Sequence, residues 1–281
     1  MTSLTTTTLA TTTQATTVTV TANNYKATLT EAATLASQGN HTDAIEKYNA
    51  VLLAFPQFDK ETSFHCALGS SYFSLGNKQL ALTHFCTAGT LDPTNAAATI
   101  NAGILSKEVG KLDDAIKWFQ TTLTTTPDNL QALLPLAVAY INIATCTPKA
   151  TAADLTDNHH TTPLERYNQA MTTLDRVIAL STTLNIHAHE LRAFAAHKAN
   201  NSPAMLPDWE AVKTQEDTLT SNQKHIFAVN LSTVASDYLK QKKHDKAFAL
   251  LTDVNRLQPS AQGCYNQAVC LVQMKNPEQA M

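Results

Sequence analysis

Residues 62–129 contain one pattern twice. Gly69 and Gly103, Gly76 and Gly110, Ala81 and Ala115, Phe85 and Phe119, and Pro93 and Pro127 each lie 34 residues apart. Five coincidences at a single offset are not chance, and a period of roughly 20 to 50 residues means a supersecondary unit stacked on copies of itself. Such a unit cannot bury its apolar face alone, so neighbouring copies supply the core. The repeated residues have separable physical roles. Gly76 and Gly110 follow helices and can take the left-handed conformation that ends them. Pro93 and Pro127 lie past the second helix of each copy and stop it from continuing. Gly69 and Ala81 are small residues on facing helices, a pairing that predicts close approach of the two backbones.

The first copy runs His65, Leu68-Gly69, Tyr72, Gly76, Ala81, Phe85, Ala88, Pro93. In this order and spacing it resembles the tetratricopeptide repeat, with His65 at the place of the usual first aromatic. In the second copy Ala102-Gly103 and Ser106 replace Leu-Gly and Tyr, while Gly110, Ala115, Phe119 and Pro127 keep the pattern. The resemblance implies an all-α fold, an α-α superhelix of antiparallel helix pairs, that works by holding other polypeptides.

Upstream, Gly39, Ala44, Tyr48 and Pro56 anticipate the same pattern by 37 residues, so three extra residues lengthen one connection. Helices are expected at 25–38, 42–54, 62–75, 78–90, 96–109 and 112–125. A fourth repeat opens with Leu133, Leu136-Ala137 and Tyr140, but its second helix, marked by Ala170, Leu174 and Val177, comes 21 residues late. The surplus, 145–162, has no sustained apolar period and reads as an inserted loop, either functional or disordered. Repeat five is degenerate, and Pro207 should open its second helix, a place where proline is tolerated. Repeat six is clear again in Val234-Ala235, Tyr238, Ala247 and Pro259. A half repeat with Tyr265, Ala268-Val269 and Val272 follows, either as a cap or as the start of a longer array. The expected organisation is a tail over 1–24 and an array over 25–281, with repeats near 25–58, 62–95, 96–129, 130–183, 186–219 and 228–261 and a half repeat over 262–281.

Residues 1–24 hold twelve threonines and no charged residue. Low complexity of this kind does not bury a core and predicts a disordered tail. The hydroxyl-rich tail also leaves open an export signal of a secreted bacterial effector, or a strand-prone Val18–Thr21 lying in the protein's own groove. A net charge of −3 with no basic run gives no footprint for nucleic acid or a membrane surface. No apolar run reaches the ~18 residues needed to span a bilayer. The five cysteines are odd in number and contain no CxxC pair, which fits free thiols in a reducing, cytoplasmic compartment.

In the tetratricopeptide family the inner face of each first helix lines a concave groove. Carried onto this chain, the groove candidates are Cys66 and Phe73; Ile100, Ile104 and Lys107; Leu134, Val138, Ile141 and Asn142; and Phe194. Val229, Ser232, Ser236 and Lys240 extend the face in repeat six. The central stripe is apolar, and it is either an exposed seat for an apolar peptide or ordinary core. The carboxylate clamp of chaperone-binding relatives needs Asn and Lys at the sixth helical place. Here those places hold Thr30, Ala67, Asn101 and Pro135, so that specificity is disfavoured.

The sequence has no phosphate-binding loop, nucleophile elbow, HExxH or paired-carboxylate motif, so no enzymatic role, cofactor or metal is indicated. His159-His160 and the group His187, His189 and His197 lack the three- or four-residue spacing that puts two ligands on one helix face. The expected function is a non-catalytic adaptor or chaperone-like scaffold for apolar peptide segments. The competing expectations are the effector reading and a metal or enzymatic site on the inserted loop.

Overall fold

A computed structural model describes residues 20–146 and 161–274, with the side chains of 202 and 203 excepted. The Thr-rich run over 1–19, His159-His160 and the end of the half repeat lie outside the described residues. Among the described residues there are thirteen α-helices and no strand. The chain divides into two compact units, Met1–Leu91 and Asp92–Met281.

In the first unit, α1 (Tyr25–Ser37) pairs with α2 (His41–Ala54), and α3 (Thr62–Ser74) with α4 (Lys78–Leu91). The three extra residues between the pairs become a 3-10 turn, Pro56–Lys60, which keeps α2 packed on α3. Ala32, Ala44, Ile45, Tyr48, Val51, Phe64 and Leu68 form the core, with Phe64 edge-on to Tyr48 at a ring separation of 5.5 Å.

The second unit continues the alternation. Here α5 (Ala96–Glu108) pairs with α6 (Leu112–Thr125), and α7 (Leu130–Cys146) with α8 (Pro163–Leu180). Then come α9 (Ile186–Lys198), the short α10 (Leu206–Val212), α11 (Ser221–Lys240), α12 (His244–Leu257) and α13 (Ala261–Gln273). The helix after the insertion begins with a capping box: Thr162 Oγ accepts from the Glu165 amide at 3.2 Å while the Glu165 carboxylate accepts from the Thr162 amide at 2.7 Å.

The first helices of five repeats end in the same way. Gly39, Gly76 and Gly110 have φ of +83°, +77° and +81°, and the next amide donates to the carbonyl five residues back, as in Asn77 N to Tyr72 O at 2.9 Å. In repeats five and six the left-handed place is held by Asn200 (φ 54°) and Lys242 (φ 59°), with the same bonds from Asn201 to Ala196 and from Lys243 to Tyr238. The small residues of the motif work differently from the expectation of backbone-to-backbone approach. A Cβ on Gly69 would meet the Phe85 ring at 3.1 Å, and one on Gly103 would meet the Phe119 ring at 2.6 Å. Each glycine makes room for the aromatic ring of the second helix, which is why glycine and phenylalanine recur together.

Repeat five departs most from the pattern. Its second helix has only seven residues and gives way to a 3-10 stretch, Lys213–Thr218. Trp209 holds it in place: the indole is fully buried beside Phe227, and its N–H donates to Asp253 Oδ2 at 2.8 Å. Polar anchors therefore replace part of the area that a longer helix would bury.

Candidate functional site

In the second unit the first helices of successive repeats lie side by side, with α5 against α7, α7 against α9 and α9 against α11. A layer of this kind buries side chains that fall between neighbouring helices and leaves partly open those that project from the layer. The groove candidates divide along that line. Ile100 and Ile141 are 7% and 5% exposed and belong to one buried cluster with Ala137 and Ala188, so these two are core rather than lining. Ile104, Lys107, Leu134, Val138, Asn142 and Phe194 are half-buried. Ile104, Leu134 and Phe194 rest on that same cluster, which fixes their positions while leaving part of each side chain accessible. In the first unit, Cys66 is half-buried and Phe73, near the end of α3, is 48% exposed.

The electrostatics of the layer are mild. Lys198 sits over the Phe194 ring at 5.4 Å, shielding one face of the aromatic with an alkyl stem and a cation. Burial, and then the neighbouring Lys198 charge, hold His197 below the ordinary imidazole value, so it is neutral at neutral pH. Its Nδ1 is buried with no hydrogen-bond partner among the described residues.

Repeat six carries an open recess of about 560 Å³ between α11 and the α12–α13 connection. Val229, Ser232, Ser236 and Lys240 line it from α11, with Gln258 and Ser260 opposite. Ser232 Oγ donates to the Ala228 carbonyl at 2.8 Å, and Lys240 pairs with Asp237 at 3.0 Å. The recess is therefore mixed in character, with Ala228, Val229 and Val254 beside its hydroxyl and amide groups, and electrically balanced.

Two buried polar networks gave no signal in the sequence. Asp208 is fully buried, and its Oδ1 accepts from His189 Nδ1 at 2.8 Å and from Arg192 Nε at 2.9 Å; Arg192 also reaches Asp175 on α8. In the first unit, His65 Nδ1 meets His84 Nδ1 at 3.0 Å, with His65 Nε2 at 3.0 Å from the Asp59 carbonyl. Apart from the Asp59–His65 contact, these bonds join residues at least 16 positions apart across a helix pair, beyond the reach of any local spacing rule. Among the described residues no group of three or more His, Cys, Asp or Glu is arranged to hold a metal ion, and no helix is long and apolar enough to cross a membrane.

The family model described as "Tetratricopeptide repeat" matches residues 62–95, the second helix pair with its left-handed stop at Gly76 and the Phe85 ring over Gly69. Residues 62–95 are a tetratricopeptide repeat. A crystal structure of a tetratricopeptide repeat protein from Parabacteroides merdae is similar to it over 92% of this chain and 90% of that one, with a TM-score of 0.54 at 16% identity. MamA from Desulfovibrio magneticus is similar over 72% of this chain and all of its own, with a TM-score of 0.52 at 12% identity. A further MamA structure covers 71% of this chain and 98% of that one at 16% identity, with a TM-score of 0.55. At such identities the likeness speaks for the fold, an α–α tetratricopeptide solenoid. No curated protein matches the chain in sequence.

Proposed function

We propose that this tetratricopeptide-repeat protein is a non-catalytic scaffold, adaptor or chaperone-like, that binds polypeptide segments with apolar anchors on the first-helix layer of its second unit. One observation carries the reading. Ile104, Leu134, Val138 and Phe194 stay partly open on three helices packed side by side, instead of closing into the core beneath them. Apolar groups held rigid and partly wet are what an amphipathic or extended peptide buries on docking. Asn142 and Lys107 beside them supply amide and ammonium donors for the carbonyls of such a segment. The same face on α3, with Cys66 and Phe73, is a second seat of the same character. The charge balance and the odd cysteine count without a CxxC pair support a reading of the activity as cytoplasmic and independent of nucleic acid.

The test is selection of a random-peptide display library on the immobilised full chain, repeated with Val138→Glu. Peptides with spaced apolar anchors are expected from the wild type, and the substitution should remove at least nine-tenths of the enrichment while leaving helical circular dichroism unchanged. No enrichment on the wild type, or equal enrichment on both, defeats the reading.

A further inference from the structure

The layer of first helices in the second unit changes its charge from one end to the other. The left-handed residues Gly110, Asn200 and Lys242 put α5, α9 and α11 in register, and α7 follows α5 at the 34-residue period. Six places before that residue, or its counterpart in α7, stand Ile104, Val138, Phe194 and Ser236. Two places before it stand Glu108, Asn142, Lys198 and Lys240. The first row is apolar until α11, where it ends in an exposed hydroxyl. The second row is acidic on α5, neutral on α7 and cationic on α9 and α11. The flanking turns follow the same trend: residues 107–114 hold two lysines and three acids, whereas 237–246 hold four lysines and two aspartates.

The cationic end has donors to spare. Lys198 makes no ion pair or hydrogen bond among the described residues, and its ammonium stands 5.4 Å over the Phe194 ring, beside the last apolar place. The Ser236 hydroxyl is likewise without a partner among the described residues, and it lines the repeat-six recess together with Lys240. Lys240 is tied to Asp237 only by an exposed i, i+3 pair, which is weak and exchanges readily. The acid of α9, Glu190, lies just over two turns from Lys198 along the helix and accepts from Gln223 Nε2 at 3.2 Å.

We propose that the ligand of this layer is an extended peptide that sets apolar anchors across α5, α7 and α9 and carries an acidic residue beyond them, over α9 and α11. The inference rests on the groove reading above and specifies the peptide that fits it. Spacing follows from the fold. Neighbouring helices lie about 8–10 Å apart and an extended chain advances about 3.3 Å per residue, so the anchors recur about every third residue. The acid then falls about three residues past the last anchor. There a carboxylate, which can only accept, meets the ammonium groups of Lys198 and Lys240 and the free hydroxyl of Ser236, all of them donors. A basic flank would meet two like charges instead. A plain polyanion such as nucleic acid would leave the row of Ile104, Val138 and Phe194 uncovered, which favours a peptide that has both parts.

Random-peptide display on the immobilised full chain tests this, with the wild type compared with the double variant Lys198→Glu and Lys240→Glu. The wild type should select peptides with spaced apolar anchors and with Asp or Glu enriched about threefold at one flank over the unselected library. On the charge-reversed protein the anchors should persist while Lys or Arg takes the place of the acid, with helical circular dichroism unchanged because both lysines are exposed. Anchors without a flanking acid on the wild type overturn this proposal and leave the groove reading standing, whereas no enrichment at all defeats both. Acids that survive the charge reversal, or acidic peptides selected without apolar anchors, also overturn it.

Discussion

The Phe119 ring lies against Gly103 so closely that a Cβ added to the glycine would stand 2.6 Å from Cε1. Phe119 is fully buried and cannot swing away, so Gly103→Ala forces the α5–α6 pair apart. Overpacking costs about 1–3 kcal/mol, and replacing glycine by alanine in a helix returns up to ~1 kcal/mol. A net loss of about 1–2 kcal/mol is expected in urea denaturation. Gly69→Ala, with 3.1 Å to the Phe85 ring, should fall within about 1 kcal/mol of the wild type, because a few tenths of an ångström of adjustment suffice there.

Lys242 holds a left-handed backbone, φ 59°, at the place where three other repeats use glycine. A side chain there costs roughly 1 kcal/mol, and its amide already makes the terminating bond to Leu239 O at 3.0 Å. Lys242→Gly should therefore raise stability by about 0.5–1 kcal/mol, and Gly110→Ala should lower it by about 1 kcal/mol. Thermal melts of the two variants should move in opposite directions.

The carboxylate of Asp208 has no access to solvent and depends on His189 and Arg192 for compensation. Burial pulls the Arg192 guanidinium down, but its bonds to Asp208 and Asp175 more than offset this and keep it above its ordinary value, charged at every accessible pH. Arg192→Met should cost about 3 kcal/mol or more, since it leaves a buried charge short of its partner. The double change Arg192→Met with Asp208→Leu should recover most of that loss. A double-mutant cycle in denaturant measures the coupling, and fully additive losses would contradict the pairing.

Acid should weaken the first helix pairs through His84. Burial, and then the charge of His65, lower its pKa, with Asp59 pulling weakly the other way. The Asp59 carbonyl can only accept, so His65 Nε2 donates to it, and His65 Nδ1 accepts from His84 Nδ1–H. The unfolded chain takes up this proton before the folded one does. The stabilisation from neutral His84 is therefore complete above the unfolded value of about 6.5 and is lost as pH falls from there through the lowered folded value. Between about pH 7.5 and 5.5 the wild type should lose more stability than His84→Gln. The pH dependence left in the variant should include His197, which is shifted in the same direction.

The helix pairs of the middle repeats were legible because their punctuation is local. Gly39, Gly76 and Gly110 stop a helix by their own backbone freedom, and Pro93 and Pro127 prevent the next by lacking an amide hydrogen. α3 begins at Thr62 and α6 spans Leu112–Thr125, the spans that the spacing predicts. Repeat five was less legible because Asn200 stands where glycine would and its second helix is held by Trp209 and Asp208, residues whose partners lie on other helices. The groove was legible only as a face. Helical periodicity puts Ile100 and Ile104 on one side of α5, but burial of the first and partial exposure of the second depend on how tightly the layer of first helices closes.

By itself the sequence determined the repeat, its helix ends and the residues that face a partner helix, because each follows from backbone freedom and a 3.6-residue period within a few positions of the chain. Only the tertiary structure decided which of those faces are covered. Leu134 and Ile141 lie on one side of α7, yet the first stays partly open and the second is closed into the core, because burial belongs to the pair of elements and not to the residue. The compensation of Asp208 and the His65–His84 contact have the same origin: a buried polar group is stabilised by what the fold brings to it from far along the chain.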